Sequence, residues 1–456
     1  MPSAPHVIQR QRLLLRLAPG ADGRAVQKTA EAALQSQPLL AALDAALSAA
    51  GRPDEWLTLE HLELDLGHLD STQLEHQFLD RLPALLRREI AEAWVAGSAG
   101  AAGAADIAWA AWLHFLRHGT LPTSWPAPAS LAAWETALPA LLAAATEGQR
   151  AALRAALAGA TGRQRLVRQF SAPVAVAVIC TLEPSARPYH AELAEALAPL
   201  LRRLGSYSGT LGEHLVAELL CRASTAPPLP WLDLLGILAP EKRLAQPEIL
   251  ARLALEALAM ARESSPPSAG PPADAGPRAA GAAPPDEAEF VANAGVVLLH
   301  PFLAVCFRAC GWVMADKFVS ETARAKAVLL VHFLATGAAQ APEYELRLPK
   351  LLCGMAPDAS FSHHLNLGRA ARAEGVALLA AAIAHWTALK NTSPDGLREA
   401  FLQREGKLEL APEGNHHVLT VEQRAQDVLL DRLPYGWGLG LVQLPWMAAR
   451  LTINWA

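Results

Sequence analysis

The sequence lacks an apolar run long enough to cross a membrane. A spanning helix needs about 20 nearly unbroken apolar residues, and the longest candidates are residues 171–182, 296–307 and 96–105. The first is too short, the second is interrupted by a histidine and a proline, and the third consists mainly of small residues. We therefore expect these stretches to be buried core segments. The N-terminus, MPSAPHVIQRQR, also lacks the order of a signal peptide, which favours a cytoplasmic protein.

Charge and cysteine are both scarce. Charged residues make up 18% of the 456 residues, and 39 Lys and Arg against 44 Asp and Glu give a net charge of -5. This balance argues against a dedicated nucleic-acid-binding protein. The five cysteines are an odd number in apolar segments, without a second ligand pair at zinc-finger spacing. They are expected to be small buried hydrophobic residues.

Familiar catalytic patterns are missing. There is no Walker A loop, paired-glycine dinucleotide fingerprint or Gly-x-Ser-x-Gly elbow. The histidine pairs at 363–364 and 416–417 are adjacent in sequence, so their side chains diverge on either a strand or a helix. Glu63 and Asp65 share one face of a predicted strand, where we expect a solvated face rather than a glycosidase pair. The sequence predicts no enzyme, cofactor, metal site or small-molecule substrate.

What the sequence has in excess is aliphatic side chains. Hydrophobic residues make up 52% of the chain and aromatic residues only 6%. Alanine and leucine, both strong helix formers, dominate this fraction. The composition predicts a mainly α-helical protein, a multi-helix array with small β elements near the N-terminus and at the C-terminus.

Residues 1–100 predict a strand-helix-strand-helix unit. Residues 6–17 can alternate as a strand and lead into a helical pattern over residues 25–49. Residues 56–66 alternate more strictly and precede a second helix. The apolar stripe of that helix is Leu74, Phe78 and Leu82. The two strands are expected to pair in one small sheet.

Residues 101–263 predict an all-helical region. Its helices are interrupted at residues 118–130, 159–162, 182–188 and 225–231. Helix pairs at such spacings fit either an α-solenoid or an ordinary helical domain, and no clear internal repeat decides between them.

A change of composition separates this region from the C-terminal part. Residues 264–285 are rich in Pro, Gly, Ala and Ser, which is typical of a disordered linker. Residues 286–456 predict a mainly helical domain, with helices over 287–312, 321–336 and 368–389. Short strands are predicted at its end, over 418–421, 440–444 and 451–455.

Four stretches of the C-terminal part resemble a known family. They are NAGVVLLHPFLAVCFRACGW (293–312), VHFLATGAAQAPEYELRLPKLLCG (331–354), AHWTALKNTSPDGLREAFLQREGKL (384–408) and RAQDVLLDRLPYGWGLGLVQLPWM (424–447). Shorter phrases in the N-terminal part are LEHLELDLGHL (59–69), FLRHGTLP (115–122) and RQRLVRQFS (163–171). In wording and order they resemble the tape measure proteins of extracellular contractile injection systems, which are phage-tail-like particles. The chain departs from the family pattern at Pro349, where an asparagine is usual, and at Gln443, where a lysine is usual.

The resemblance implies a cytoplasmic structural protein that helps set the length of the inner tube and contractile sheath. Its implied partners are tube, baseplate and terminator subunits, and the protein is expected to work during assembly or within the assembled particle. The 34 prolines argue against one continuous helix. A ruler therefore requires part of the chain to stretch inside the tube, and the helical middle is the expected stretchable part.

Two other kinds of function are alternatives, and the alanine- and leucine-rich helices suit the first of them equally well. An assembly chaperone or scaffold could bind tube, baseplate or cargo subunits through apolar grooves without acting as a ruler. An enzyme or toxin cargo would need a nucleophile, a base and an orienting group, and no such constellation is present. The candidate partner contacts are Tyr435, Trp437 and Trp446, large aromatic residues near glycines, which either anchor a partner or fill the core of the C-terminal sheet.

Overall fold

A computed structural model describes most of the chain, and the chain divides into two compact units. One unit consists of Met1–Trp112 with Pro122–Ala127, and the other of Leu113–Leu121 with Pro128–Ala456. The described residues are 13, 15, 17, 23–34, 36–50, 55–56, 59, 62–70, 73–96, 102–122, 131–201, 211–225, 229, 231–238, 247–263, 289–363, 365–389, 392–411, 414 and 416–455. The linker predicted at residues 264–285 and most of the strand predicted at residues 6–17 lie outside them.

The first unit is built on three helices. They are α1 (Gly23–Leu34), α2 (Gln37–Ala50) and α3 (Leu74–Ala96). Both α1 and α2 pack on α3, whose predicted stripe of Leu74, Phe78 and Leu82 is buried. A two-residue ladder pairs β1 (Glu55–Trp56) with β2 (Ala102–Gly103). A further helix, α4 (Ala104–His118), crosses the boundary between the units.

The helical pattern predicted over residues 25–49 forms two helices, because the chain turns at Ser36, whose N–H donates to the Ala33 carbonyl at 3.2 Å. Residues 62–66 belong to no strand or helix. The Arg81 guanidinium binds the carbonyls of Leu66 and His68 at 2.9 and 2.8 Å, so a side chain takes the place of a neighbouring strand. The alternating leucines nevertheless pack against the core, as their pattern predicts.

The second unit begins with a helical part. Its helices are α5 (Leu131–Ala143), α6 (Glu147–Ala158), α7 (Ala160–Gln169), α8 (Ala172–Leu182), α9 (His190–Leu201), α10 (Leu211–Thr225), α11 (Trp231–Leu238) and α12 (Pro247–Glu263). Helices α4, α6, α8 and α10 end at the four predicted interruptions, whereas the ends of α5, α7, α9 and α11 were not predicted. Helix α8 is buried around most of its circumference, because α5, α9 and α10 all pack against it. We call residues 113–121 and 128–263 the helical part.

The remainder of this unit, residues 289–455, is the C-terminal part. Its helices are α13 (His300–Ala309), α14 (Glu321–Thr336), α15 (Arg347–Leu352), α16 (Arg369–His385) and α17 (Pro394–Leu397). Short 3-10 helices lie at Ala294–Leu299, Glu343–Glu345, Thr387–Leu389 and Ala425–Arg432, and a π-helical turn lies at Arg398–Leu402. Helix α14 runs through the centre, and most of its residues are buried on all sides.

A five-stranded sheet belongs to the C-terminal part. Its strands are β3 (Glu289–Val291), β6 (Gly406–Leu410), β7 (His416–Val421), β8 (Leu441–Val442) and β9 (Arg450–Asn454), in the order β3-β6-β7-β9-β8. Strands β6 and β7 pack against the 3-10 segment Ala294–Leu299. Strands β7 and β9 are parallel, and the other neighbours are antiparallel. A separate hairpin joins β4 (Val313–Met314) to β5 (Lys317–Phe318).

The mainly α-helical class is confirmed, and so are the short strands predicted near the C-terminus. The helix predicted over residues 287–312 is partly wrong. That segment starts with β3, continues through the 3-10 turn Ala294–Leu299 and becomes α-helical only at His300. Strand β3 pairs with β6, which lies more than 100 residues later in the sequence.

Candidate functional site

Three charged side chains meet in the interior of the second unit. Arg165, Glu343 and Lys350 have side chains that are at most 1% exposed. Together with Gln169, which is 1% exposed, they form what we call the Glu343 cluster. Charged side chains are rarely buried to this extent unless they are paired, so the cluster is the most distinctive polar feature of the described structure.

Local secondary structure positions each side chain of the cluster. Arg165 and Gln169 are four residues apart on α7 and therefore share one face of that helix. Glu343 begins the 3-10 turn Glu343–Glu345. Lys350 lies in α15, the short helix that follows this turn. The cluster thus joins one helix of the helical part to two consecutive turns of the C-terminal part.

The Glu343 carboxylate is the centre of the cluster. Its Oε1 accepts hydrogen bonds from Arg165 Nε and from Lys350 Nζ, both at 3.0 Å. Its Oε2 accepts the Phe361 N–H at 3.1 Å. Gln169 completes the contact, because its Oε1 accepts the Glu343 N–H at 3.1 Å while its Nε2 donates to the Phe361 carbonyl at 2.9 Å.

Backbone carbonyls offset the second positive charge. Arg165 donates to the Leu116 and Asp358 carbonyls, each at 2.6 Å. Lys350 donates to the Ala359 carbonyl at 2.7 Å and to the Pro357 carbonyl at 3.3 Å. Burial lowers the pKa of Lys350, and the neighbouring Glu343 carboxylate opposes this shift. The two cations therefore share one anion and are stabilised further by oriented peptide dipoles.

Gly119 closes the cluster on the side of α4. It follows the end of that helix with φ +76°, a left-handed conformation that favours glycine. A Cβ at this position would lie 2.5 Å from Glu343 Oε1 and 3.0 Å from Arg165 Nε. The cluster thus requires both the conformation and the small size of glycine.

The arrangement holds segments of the chain together. All three charged groups are satisfied by partners from the same chain, and none is open to solvent. A catalytic group has to reach a substrate, and here the carboxylate and both cations are enclosed. Burying ions at such a point favours one arrangement of the segments over others, since a displaced partner leaves an uncompensated charge.

Three of the seven phrases that carry the family resemblance meet at this cluster. Gly119 and the Leu116 carbonyl belong to residues 115–122, Arg165 and Gln169 to residues 163–171, and Glu343 and Lys350 to residues 331–354. Stretches that are far apart in sequence are therefore parts of one site.

The four C-terminal phrases are also tied to one another. Arg404 donates to Asp427 at 2.6 Å, which joins the third phrase to the fourth. Trp437 Nε1 donates to the Leu298 carbonyl at 2.7 Å, joining the fourth to the first. Trp446 Nε1 donates to the Leu352 carbonyl at 2.9 Å, joining the fourth to the second. Hydrogen bonds thus join the fourth phrase to each of the other three.

The two departures from the family pattern are compatible with this structure. Pro349 is the third residue of α15, where a backbone N–H has no partner within the helix, so proline removes no helical hydrogen bond. Gln443 is exposed.

The three predicted contact residues lie in different environments. Tyr435 is fully exposed, whereas Trp437 is 6% exposed and packs against Phe302 and Trp386. Trp446 is half-buried against Phe307 and Phe318. Of the three, Tyr435 has the side chain that is accessible to a partner.

Sequence reasoning missed the Glu343 cluster. Arg165 and Gln169 belong to a polar phrase that resembles a solvated helix face, and the partner carboxylate is 178 residues away from Arg165. The available signal was Lys350, a charge placed among leucines in the segment RLPKLL. In a chain with few charges, such a position indicates a paired residue.

The chain as a whole matches a known protein family. Residues 5–455 match the family of contractile injection system tape measure proteins, and the chain belongs to that family. It is a structural and assembly protein of a contractile injection system. No curated protein and no solved structure matches the chain.

Two searches of the described residues bear on other kinds of site. None of the helices there combines the length and the apolar character that crossing a membrane requires. In the same residues, no group of three or more His, Cys, Asp and Glu side chains is arranged to hold a metal ion.

Proposed function

We propose that this chain helps set the length of the tube and contractile sheath while the particle is assembled in the cytoplasm. The family match, which spans both compact units, carries the proposal. The reach of the chain depends on how far it is stretched. Its 456 residues reach about 680 Å as one helix and about 1,500 Å when fully extended.

The proposed partners are tube, baseplate and terminator subunits, with Tyr435 as a point of contact. Tyr435 is fully exposed, and it lies in a turn closed by the Trp437 N–H and the Pro434 carbonyl at 3.0 Å. The Trp437 indole anchors this turn to the C-terminal core. A large aromatic side chain on an anchored turn loses little conformational entropy on binding, which is typical of interface anchors.

The proposal assigns no catalytic role to the chain. The most deeply buried charged groups of the second unit are enclosed and serve packing, as described for the Glu343 cluster. The family to which the chain belongs is structural.

An assembly chaperone or scaffold is the second candidate. Helices α5–α12 are packed against one another, and α7 is fixed to the C-terminal part by the Glu343 cluster. This observation favours a chain that stays folded while it acts, because stretching it would break buried ion pairs.

Deletion of the gene, followed by electron microscopy of the purified particles, distinguishes the two roles. A length-setting protein predicts particles of irregular length without it, with uniform length restored by the wild-type gene, whereas complete loss of particles would favour the scaffold. Mass spectrometry of wild-type particles should detect the chain. Wild-type particles of normal length in which the chain is not detected would support a transient scaffold and contradict the proposal.

A further inference from the structure

The helical part and the C-terminal part have separate apolar cores. The core cluster around α14, with the half-buried residues packed against it, is drawn from described residues 291–455 alone. In the helical part, α8 is surrounded by its own neighbours α5, α9 and α10. Among the residues that the structure describes, the two parts thus do not share one continuous apolar interior.

The contact between them is mainly polar. From α7, Arg165, Arg168 and Gln169 donate to the carbonyls of Asp358, Ser360 and Phe361 at 2.6, 3.1 and 2.9 Å. In return, the His363 N–H donates to the Arg168 carbonyl at 2.9 Å. The charged centre of this contact is the ion pair between Arg165 and Glu343.

One aromatic contact accompanies these hydrogen bonds. The Tyr344 ring lies 6.2 Å from the Phe115 ring and 6.4 Å from the Trp134 ring, measured between centroids. Tyr344 follows Glu343 directly, so the aromatic contact and the ion pair lie side by side. Among the described residues, the join therefore combines a small apolar contact with a dense set of hydrogen bonds.

Polar and apolar contacts respond differently to separation. Buried hydrogen bonds and ion pairs exchange for bonds to water when an interface opens, so their net contribution to its free energy is modest. A core of apolar side chains has no such compensation. Loss of a single charged partner inside a closed polar interface is costly, because its counterpart stays buried.

We propose that the contact between α7 and residues 341–363 is a releasable joint, at which the helical part and the C-terminal part separate as two folded bodies. The surface formed by residues 341–363 fits one partner, the face of α7 that carries Arg165, Arg168 and Gln169. Glu343 is its central residue, since its carboxylate and its N–H both bind α7. The joint allows the chain to lengthen without unfolding either core.

The test uses the full chain with a protease recognition sequence placed within residues 264–285. After the chain has folded, it is cut there, and the pieces are analysed by size-exclusion chromatography and circular dichroism. We expect the wild-type pieces to remain together in buffer. We expect urea to separate them at a concentration below that at which the helical signal falls.

Glu343→Gln should weaken the association of the pieces by at least about 100-fold in Kd, because it leaves two buried cations without an anion. Each piece should keep its helical signal. Gln169→Ala, which changes no charge, should weaken the association about 10-fold. Glu345→Gln is the matched control and should have no effect on it, since Glu345 lies two residues away and its side chain is 39% exposed.

Three results would overturn the joint. The first is separation of the wild-type pieces in buffer, and the second is an unchanged Kd for both Glu343→Gln and Gln169→Ala. The third is a urea transition in which the pieces separate only as the helical signal is lost. None of these readouts involves particle length, so the joint is tested independently of the proposed function.

Discussion

At the scale of single residues, the packing of the second unit depends on a few residues that each contact several segments. The Glu343 carboxylate binds two cations and one peptide N–H, and Gly119 leaves just enough room for it. A change at either position affects several segments at once, because the cluster joins α4, α7 and α15.

Gly119→Ala tests this crowding. Alanine would take a left-handed conformation, and its Cβ would press on Glu343 and Arg165, so we expect a loss of about 2 kcal/mol or more in the free energy of unfolding. Gly159→Ala is the matched control, since φ is -75° there and no atom lies within 4 Å of the added Cβ. That variant should be neutral or more stable by up to about 1 kcal/mol. Equal thermal midpoints for both variants would contradict the described cluster.

A buried histidine makes stability depend on pH. His332 in α14 is 2% exposed, and burial lowers its pKa from 6.5 to about 4. The unfolded chain takes up a proton below about pH 6.5 while the folded chain does not, so stability falls as the pH is lowered towards 4. The loss from this group should reach about 2 kcal/mol at pH 5. Burial also lowers the pKa of His114 to about 4, which acts in the same direction.

His332→Leu isolates this contribution. The variant removes the titrating group, so its urea midpoint should depend less on pH between 7.5 and 5 than that of the wild type. Burial raises the pKa of Glu345, which opposes the effect of His332 but is present in both proteins. Parallel pH profiles would show that His332 is not the source of the dependence.

At the scale of secondary structure, local signals predicted the helices well. Residues 321–336 are helical as predicted, because Ser320 caps the first turn and Gly337 ends the helix in a left-handed conformation. At Pro394–Leu397, Ser393 caps the helix through a 3.0 Å bond from the Gly396 N–H. Such caps are encoded within a few residues of the helix they define.

The sheet and the cluster could not be predicted in the same way. Strands β3 and β6 were missed, since each is short and its partner is distant in sequence. The chemistry of Arg165 depends likewise on a carboxylate that only the fold brings near. A local pattern shows which residues are apolar or charged, whereas long-range pairing decides which of them meet.

Trp446 and Tyr435 belong to one C-terminal segment but are expected to play different parts. Trp446→Ala removes contacts with Phe307 and Phe318 and a hydrogen bond to Leu352, so it should cost about 2 to 4 kcal/mol of stability. Tyr435→Ala should change stability by no more than about 0.5 kcal/mol, because its side chain is exposed. If Tyr435 is a partner contact, this folded variant should reduce the yield of particles. A normal yield would remove Tyr435 from the proposed interface.

At the scale of the whole molecule, composition and phrase resemblance predicted the class and the family. A low charge content with many alanines and leucines favoured a mainly helical chain, and the family match covers residues 5–455. The 34 prolines and the packed helices raise the question of how such a chain measures length. A releasable joint offers a route, since the distance between the two parts can grow while both cores stay folded.

The most direct test of a length-setting role is a series of in-frame insertions within residues 264–285, with particle length measured by electron microscopy. If the stretched chain sets the length, 20 added residues should lengthen particles by about 66 Å, at about 3.3 Å per residue. The same insertion between β6 and β7, after Ala411, is the matched control. Both of its ends are held by paired strands, so it cannot add to the span. Particles that lengthen with insertions at residues 264–285 alone would support a length-setting role for the chain. Particles of unchanged length at every insertion size would contradict it.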